Sequence, residues 1–143
     1  MKKTIKILLI VALAILVVFL ADMGLHLVLD APLRTCKTAY EKMQQSNARI
    51  VYYVDDVERG LVSELSIDWT SVDEEFRVEK DKAENTITFY CYNGPGCCGG
   101  KYYSKHIFAF DTEGRLSVYC VLYYNDHKTE AYSKKTYKIR YQD

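Results

Sequence analysis

Between Ile5 and Leu29 the chain is almost wholly aliphatic, broken by Asp22 and His26, with Lys2, Lys3 and Lys6 at its start. As a helix rising about 1.5 Å per residue, those positions reach roughly 37 Å, enough to cross a hydrocarbon layer of about 30 Å with some tilt. A cleaved secretory signal shares the layout of basic start and apolar run. The run exceeds the usual signal core, however, and Leu29-Asp30-Ala31 is a poor small-x-small site. The segment 1–29 therefore reads as an uncleaved signal anchor, with secretion after cleavage as the alternative. Asp22 and His26 are costly at mid-bilayer and cheaper near an interface, so the expected buried stretch is Ile5 to Ala21.

Basic residues beside a first apolar segment are retained on the cytoplasmic side. Residues 30–143 are thus expected outside the cell membrane as one extracytoplasmic domain, since that length fills one ordinary core. With Lys2, Lys3 and Lys6 set aside from the 19 basic residues, and Asp22 from the 19 acidic ones, this domain carries a net charge of about −2. That balance does not favour nucleic acid.

Asp30 suits a helix cap and Pro32 a first turn, where its missing N–H costs little. Leu33, Cys36, Tyr40, Met43, Asn47, Ile50, Val54, Val57 and Leu61 then recur three and four apart, as on one helical stripe, with Gly60 as terminator. Ile50 to Val54 is β-branched and aromatic, which equally suits a strand. The pattern predicts a helix over 32–48 and leaves 49–59 open between helix and strand.

From Leu61 the period changes to two. Leu65, Ile67 and Trp69 alternate with polar residues, Phe76 and Val78 face one way, and Ile87, Phe89 and Cys91 oppose Thr88, Tyr90 and Tyr92. Tyr103 to Phe110 leads into the turn at Asp111 to Gly114, after which Leu116, Val118, Cys120 and Leu122 alternate. Asn125 to Lys128 reverses the chain, and Tyr132 to Tyr141 closes the sheet. The expectation is an α+β fold, in which one amphipathic helix packs on an antiparallel meander of five or six strands. The order of apolar helix, amphipathic helix and sheet is similar to that of a pilin. The leader-site glycine and following glutamate of that family are absent, and the likeness carries no site.

Several of the thirteen tyrosines fall on strand positions opposite the aliphatic ones. Tyr90, Tyr92, Tyr102, Tyr119, Tyr123 and Tyr132, with Tyr137 and Tyr141, suggest an aromatic binding face, because tyrosine joins a large ring to a polar tip. Cross-strand stabilisation of the sheet explains the same residues. Five cysteines cannot all pair within one chain. Cys91 with Cys97 or Cys98 would staple a hairpin, whereas Cys91 and Cys120 lie two strands apart in a meander.

A thiol or metal centre could draw on Cys97, Cys98, His106 and Cys120, since counting back through the Asp111 turn sets His106 opposite Cys120. Adjacent cysteines lack the spacing of a thioredoxin or zinc motif. Gly99-Gly100-Lys101 fails as a phosphate loop, with Pro95 and Tyr102 at the wrong places and a strand following. No serine sits in a nucleophile elbow, and Asp55-Asp56 and Asp73-Glu74-Glu75 read as solvated turn acids. The sequence therefore points to a binding or assembly domain, such as an accessory subunit of an envelope complex. It suggests no catalytic residue, metal or cofactor; its partners are the lipid bilayer and another protein. A membrane-tethered thiol-redox or metal protein centred on Cys97-Cys98 is the alternative.

Overall fold

The computed structural model describes residues 2–29, 31–72, 78–95, 101–125 and 130–142. The chain divides into two units, Met1–Ala31 and Pro32–Asp143. In the first, helix α1 (Lys2–Leu29) contains one apolar stretch, Ile5–Gly24, long enough by composition and length to cross a membrane. Twenty residues at about 1.5 Å each match a hydrocarbon thickness of roughly 30 Å. Its side chains from Ile5 to Met23 are exposed.

The second unit opens with helix α2 (Ala31–Gln44), which has Pro32 in its first turn and ends four residues earlier than its apolar spacing suggests. Ser46 closes the end, its hydroxyl donating to the Met43 carbonyl at 2.6 Å. Cys36, Ala39 and Met43 form the buried side of α2 and join the core of the sheet. The Tyr40 hydroxyl donates to the Leu65 carbonyl at 2.6 Å, and the Gln44 amide donates to both. Removing one such hydroxyl costs about 1 kcal/mol. Tyr40→Phe, which retains the edge contact with Trp69, is expected to lower stability by that amount in urea titrations followed by Trp69 fluorescence.

Seven strands follow: β1 (Arg49–Val54), β2 (Val57–Val62), β3 (Glu79–Asp81), β4 (Thr86–Pro95), β5 (Lys101–Phe110), β6 (Leu116–Asn125) and β7 (Ser133–Arg140). They form one antiparallel sheet in the order β2-β1-β7-β6-β5-β4-β3. Strands β3 to β7 are a meander, but β7 does not close the sheet. The β1–β2 hairpin adds to its far side, giving seven strands rather than five or six.

Residues 49–59 are thus strand, turn and strand. Asp55 and Asp56 both take positive φ, 48° and 65°, the backbone of a two-residue hairpin turn. Hydrogen bonds to the neighbouring strand fix them there: Asp55 N donates to the Lys134 carbonyl, and Lys134 N donates to Asp55 Oδ1, each at 2.8 Å. Gly60 is no helix terminator. With φ of 115°, it lies in β2 opposite Tyr52, beside a break in register.

Leu65, Ile67 and Trp69 do not lie on a strand either; this stretch is irregular and ends in a 3-10 turn at Trp69–Ser71. Asp68 caps the turn, accepting from the Thr70 amide and hydroxyl at 3.0 and 2.6 Å. Asp30, Phe76 and the reversal at 126–128 lie outside the described residues.

One extra residue decides which side chains enter the core. Phe110 pairs with Leu116, but Ala109 pairs with Val118, so Ser117 is bulged out and its hydroxyl donates to the Ala109 carbonyl at 3.0 Å. Because side chains alternate every residue, a shift of one position exchanges the faces of the rest of the strand. Tyr119 and Val121 consequently enter the core, while Val118, Cys120 and Leu122 turn outward. They do not share the face of Leu116.

Candidate functional site

The inner face carries a row of rings across five strands and the 3-10 turn. Tyr52 stacks on Tyr137 at 5.0 Å, Tyr137 on Tyr119 at 5.5 Å, Tyr119 on His106 at 5.8 Å, His106 on Phe89 at 5.1 Å, and Phe89 on Trp69 at 5.6 Å. His106 is the polar member, and both its ring nitrogens are engaged. Nε2 lies 2.7 Å from Ser104 Oγ, and Nδ1 lies 2.7 Å from the Tyr119 hydroxyl. Ser104 Oγ in turn donates to Asn93 Oδ1 at 3.5 Å. Every hydrogen bond is met if His106 carries its proton on Nε2 and Tyr119 donates to Nδ1.

Burial pushes the His106 pKa down to about 4 and raises the Tyr119 hydroxyl above its ordinary value, so both are neutral near pH 7. Ser104 and His106 touch as a nucleophile and base would, but they are only 2% and 8% exposed. A tyrosine occupies the place of the orienting carboxylate. The trio resembles a satisfied polar insert in a core more than a site that receives substrate.

The six tyrosines expected on one recognition face are divided between two. By register, Tyr90 and Tyr92 point outward, while Tyr102, Tyr119 and Tyr123 belong to the inner face. Tyr132 joins the latter through ring contacts with Tyr102 and Tyr123. Tyr119 is buried in the core, and Tyr137 is also on its side of the sheet. The bulge at Ser117 accounts for the inward placing of Tyr119 and Tyr123.

It separates the metal candidates too. His106 pairs with Val121 and Cys120 with Ile107, which sets His106 inside and Cys120 outside rather than opposite one another. Cys97 and Cys98 lie outside the described residues. Among the described residues no cluster of three or more His, Cys, Asp or Glu side chains could hold a metal ion. Cys91 is buried on the inner face opposite Ser104, with β5 between it and the outward Cys120. Burial raises the Cys36 thiol to about 12, leaving it a packing residue.

The outer face has a different character. Tyr103 and Tyr124 stack at 5.1 Å with planes 4° apart, and Tyr90 packs beside Tyr103. Val51, Ile107, Ala109, Val118, Cys120 and Leu122 occupy its middle, all half-buried. Leu61, paired with Val51 on the edge strand β2, is 59% exposed. Arg49, Lys105, Lys134, Lys138 and Arg140 share this face. The sequence did not single out these cations, because their common placement depends on the pairing of β5 and β7 with β6 and of β1 with β7. Comparison of the chain with protein families, curated proteins and solved structures found no match.

Proposed function

We propose that this protein is a membrane-anchored binding domain, tethered by α1 and recognising a partner through the outer face of its sheet. The observation that carries the reading is that face: rings and aliphatic side chains at the centre of an antiparallel sheet, with no element among the described residues of Pro32–Asp143 over them. Antiparallel sheets with one solvated face ordinarily present polar residues there. A contiguous patch of half-buried aromatic and apolar side chains, with Leu61 and Tyr92 exposed at its margins, suits an interaction surface. The domain acts by binding rather than by catalysis, a reading supported by the closure of the Ser104–His106 contact. Lys2, Lys3 and Lys6 favour an amino terminus in the cytoplasm and a domain outside, where it would serve as an accessory subunit of an envelope assembly.

The protein is expected to stay with membranes through alkaline carbonate extraction, and its intact mass to include residues 1–29. A soluble species beginning beyond residue 29 would overturn the anchor. A photo-crosslinking residue at Ile107 is expected to yield a discrete adduct in intact cells, whereas the same probe at Lys82, on the β3–β4 turn, is not. Equal labelling from both positions, or none from Ile107, would remove the binding face.

A further inference from the structure

We infer that the partner of the outer face is an acidic protein segment with apolar residues along one side. Strands β1, β4, β5, β6 and β7 contain no acidic residue at all, although residues 30–143 as a whole are slightly acidic. The carboxylates lie at turns and on the two edge strands, at positions such as Asp55, Asp56, Glu58, Glu79, Asp81 and Asp111. By register Glu58, Glu79 and Asp81 also face outward, but on the two edge strands, so the five outward cations lie on middle strands that carry no carboxylate.

Of these five, only Lys134 has an ion pair among the described residues, with Asp56 at 2.8 Å. Lys138 lies over the Tyr53 ring at 4.6 Å, and Arg49 is directly opposite Arg140. Like charges in such a cross-strand pair destabilise the free sheet. An anionic group bridging them would reverse that penalty.

Charge alone would suit a polyanion, but Leu61, Val51, Val118, Ile107 and Leu122 offer such a ligand nothing to hydrogen-bond. An apolar centre with charged residues around it is the layout of a protein interface. A second copy docked with its middle strands on these would bring ten cations together, which disfavours self-association in that mode. This inference rests on the binding face proposed above and adds its partner's chemistry.

The test uses the full chain in nanodiscs of neutral lipid. The probes are a synthetic amphipathic helical peptide with leucine on one side and glutamate on the other, the same peptide with lysine for glutamate, polyglutamate, and vesicles containing anionic lipid. The acidic amphipathic peptide should bind, more weakly as salt is raised, and Lys138→Glu with Arg140→Glu should weaken it by about tenfold or more. Lys80→Glu with Lys82→Glu, at the β3 edge, should leave binding unchanged. Urea midpoints read from Trp69 establish that both double variants are folded.

Equal binding of the lysine peptide, equal binding of polyglutamate, or no peptide binding would each overturn the inference. Capture of anionic vesicles without the peptide would overturn it in favour of a lipid surface. Self-association lost in the Lys138/Arg140 variant would overturn it in favour of a second copy. A persisting Ile107 cross-link in cells alongside a failed peptide assay would leave the binding face intact and reject only the acidic partner.

Discussion

Phe108→Ala should lower the stability of the domain by about 3–5 kcal/mol, against a total of roughly 5–15 kcal/mol for a domain of ordinary size. Phe108 has no exposed surface, and its ring lies 5.0 Å from Tyr119, 5.6 Å from Phe89 and 5.9 Å from Trp69. Those neighbours are held by the sheet on one side and the 3-10 turn on the other, so they can close over the missing ring only in part. The remaining cavity adds to the lost transfer free energy. Ile107→Ala, one residue away, removes an outward side chain that is half-buried and should cost about 1 kcal/mol. Urea titrations of the full chain in detergent, with Trp69 as the only tryptophan, compare the two directly. Equal losses would contradict the assignment of faces along β5, and with it the outer surface on which the binding reading depends.

Local chemistry made part of this fold legible. Pro32 marks the start of α2, Ile87-Phe89-Cys91 show the buried alternation of β4, and Asp111 to Gly114 form the expected turn. There Asp111 Oδ1 accepts from the amides of Glu113 and Arg115, and Gly114 has φ of 76°. Other signals were degenerate. Ile50, Val54, Val57 and Leu61 keep helical spacing only because a two-residue turn separates two short strands. The Asp55-Asp56 turn itself needs two non-glycine residues at positive φ, whose cost is offset by contacts with Lys134 far along the chain.

Ser117 illustrates a stronger limit. Leu116, Val118, Cys120 and Leu122 form a regular alternating series in sequence, and nothing in that series indicates that the strand bulges between its first two members. The bulge transferred Tyr119 from the anticipated recognition face to the core, and moved Cys120 away from His106. The candidate surface was hidden for a related reason. Its cations come from β1, β5 and β7, and the β1–β7 pairing joins residues far apart in sequence, such as Arg49 and Arg140. Sequence periodicity reports which residues share a strand's face; it does not report which strands are neighbours.

Acidification from pH 6.5 to about 4 should remove about 3 kcal/mol of stability through His106 alone. The unfolded chain takes up a proton on this histidine near its ordinary value of 6.5, but the folded chain does so only at about 4, because burial disfavours the imidazolium. Between those values the unfolded state binds more protons than the folded state. Stability therefore rises with pH across this window, by about 1.4 kcal/mol per unit, and is lost as pH falls. Below pH 4 both states are protonated and this contribution ceases to change.

The groups around the ring give the imidazolium no counter-charge: Ser104 and Tyr119 bond its nitrogens, and Phe89 and Tyr119 cover its faces. A proton on Nδ1 would also face the Tyr119 hydroxyl as a second donor, so Tyr119 would have to rotate its hydrogen away. Asp68 is distinguishable, since hydrogen bonds from the Thr70 hydroxyl and amide hold it below its ordinary 3.8, and its contribution is lost only as pH falls beneath that value. His106→Gln, a neutral side chain able to donate and accept, should be less stable than the parent at pH 7 yet nearly flat between pH 6.5 and 4.5. Urea midpoints of both proteins across that range, read from Trp69, measure the difference in slope. A parent midpoint as flat as that of the variant would mean that His106 charges freely in the folded state, and the core would then have to admit water beside it.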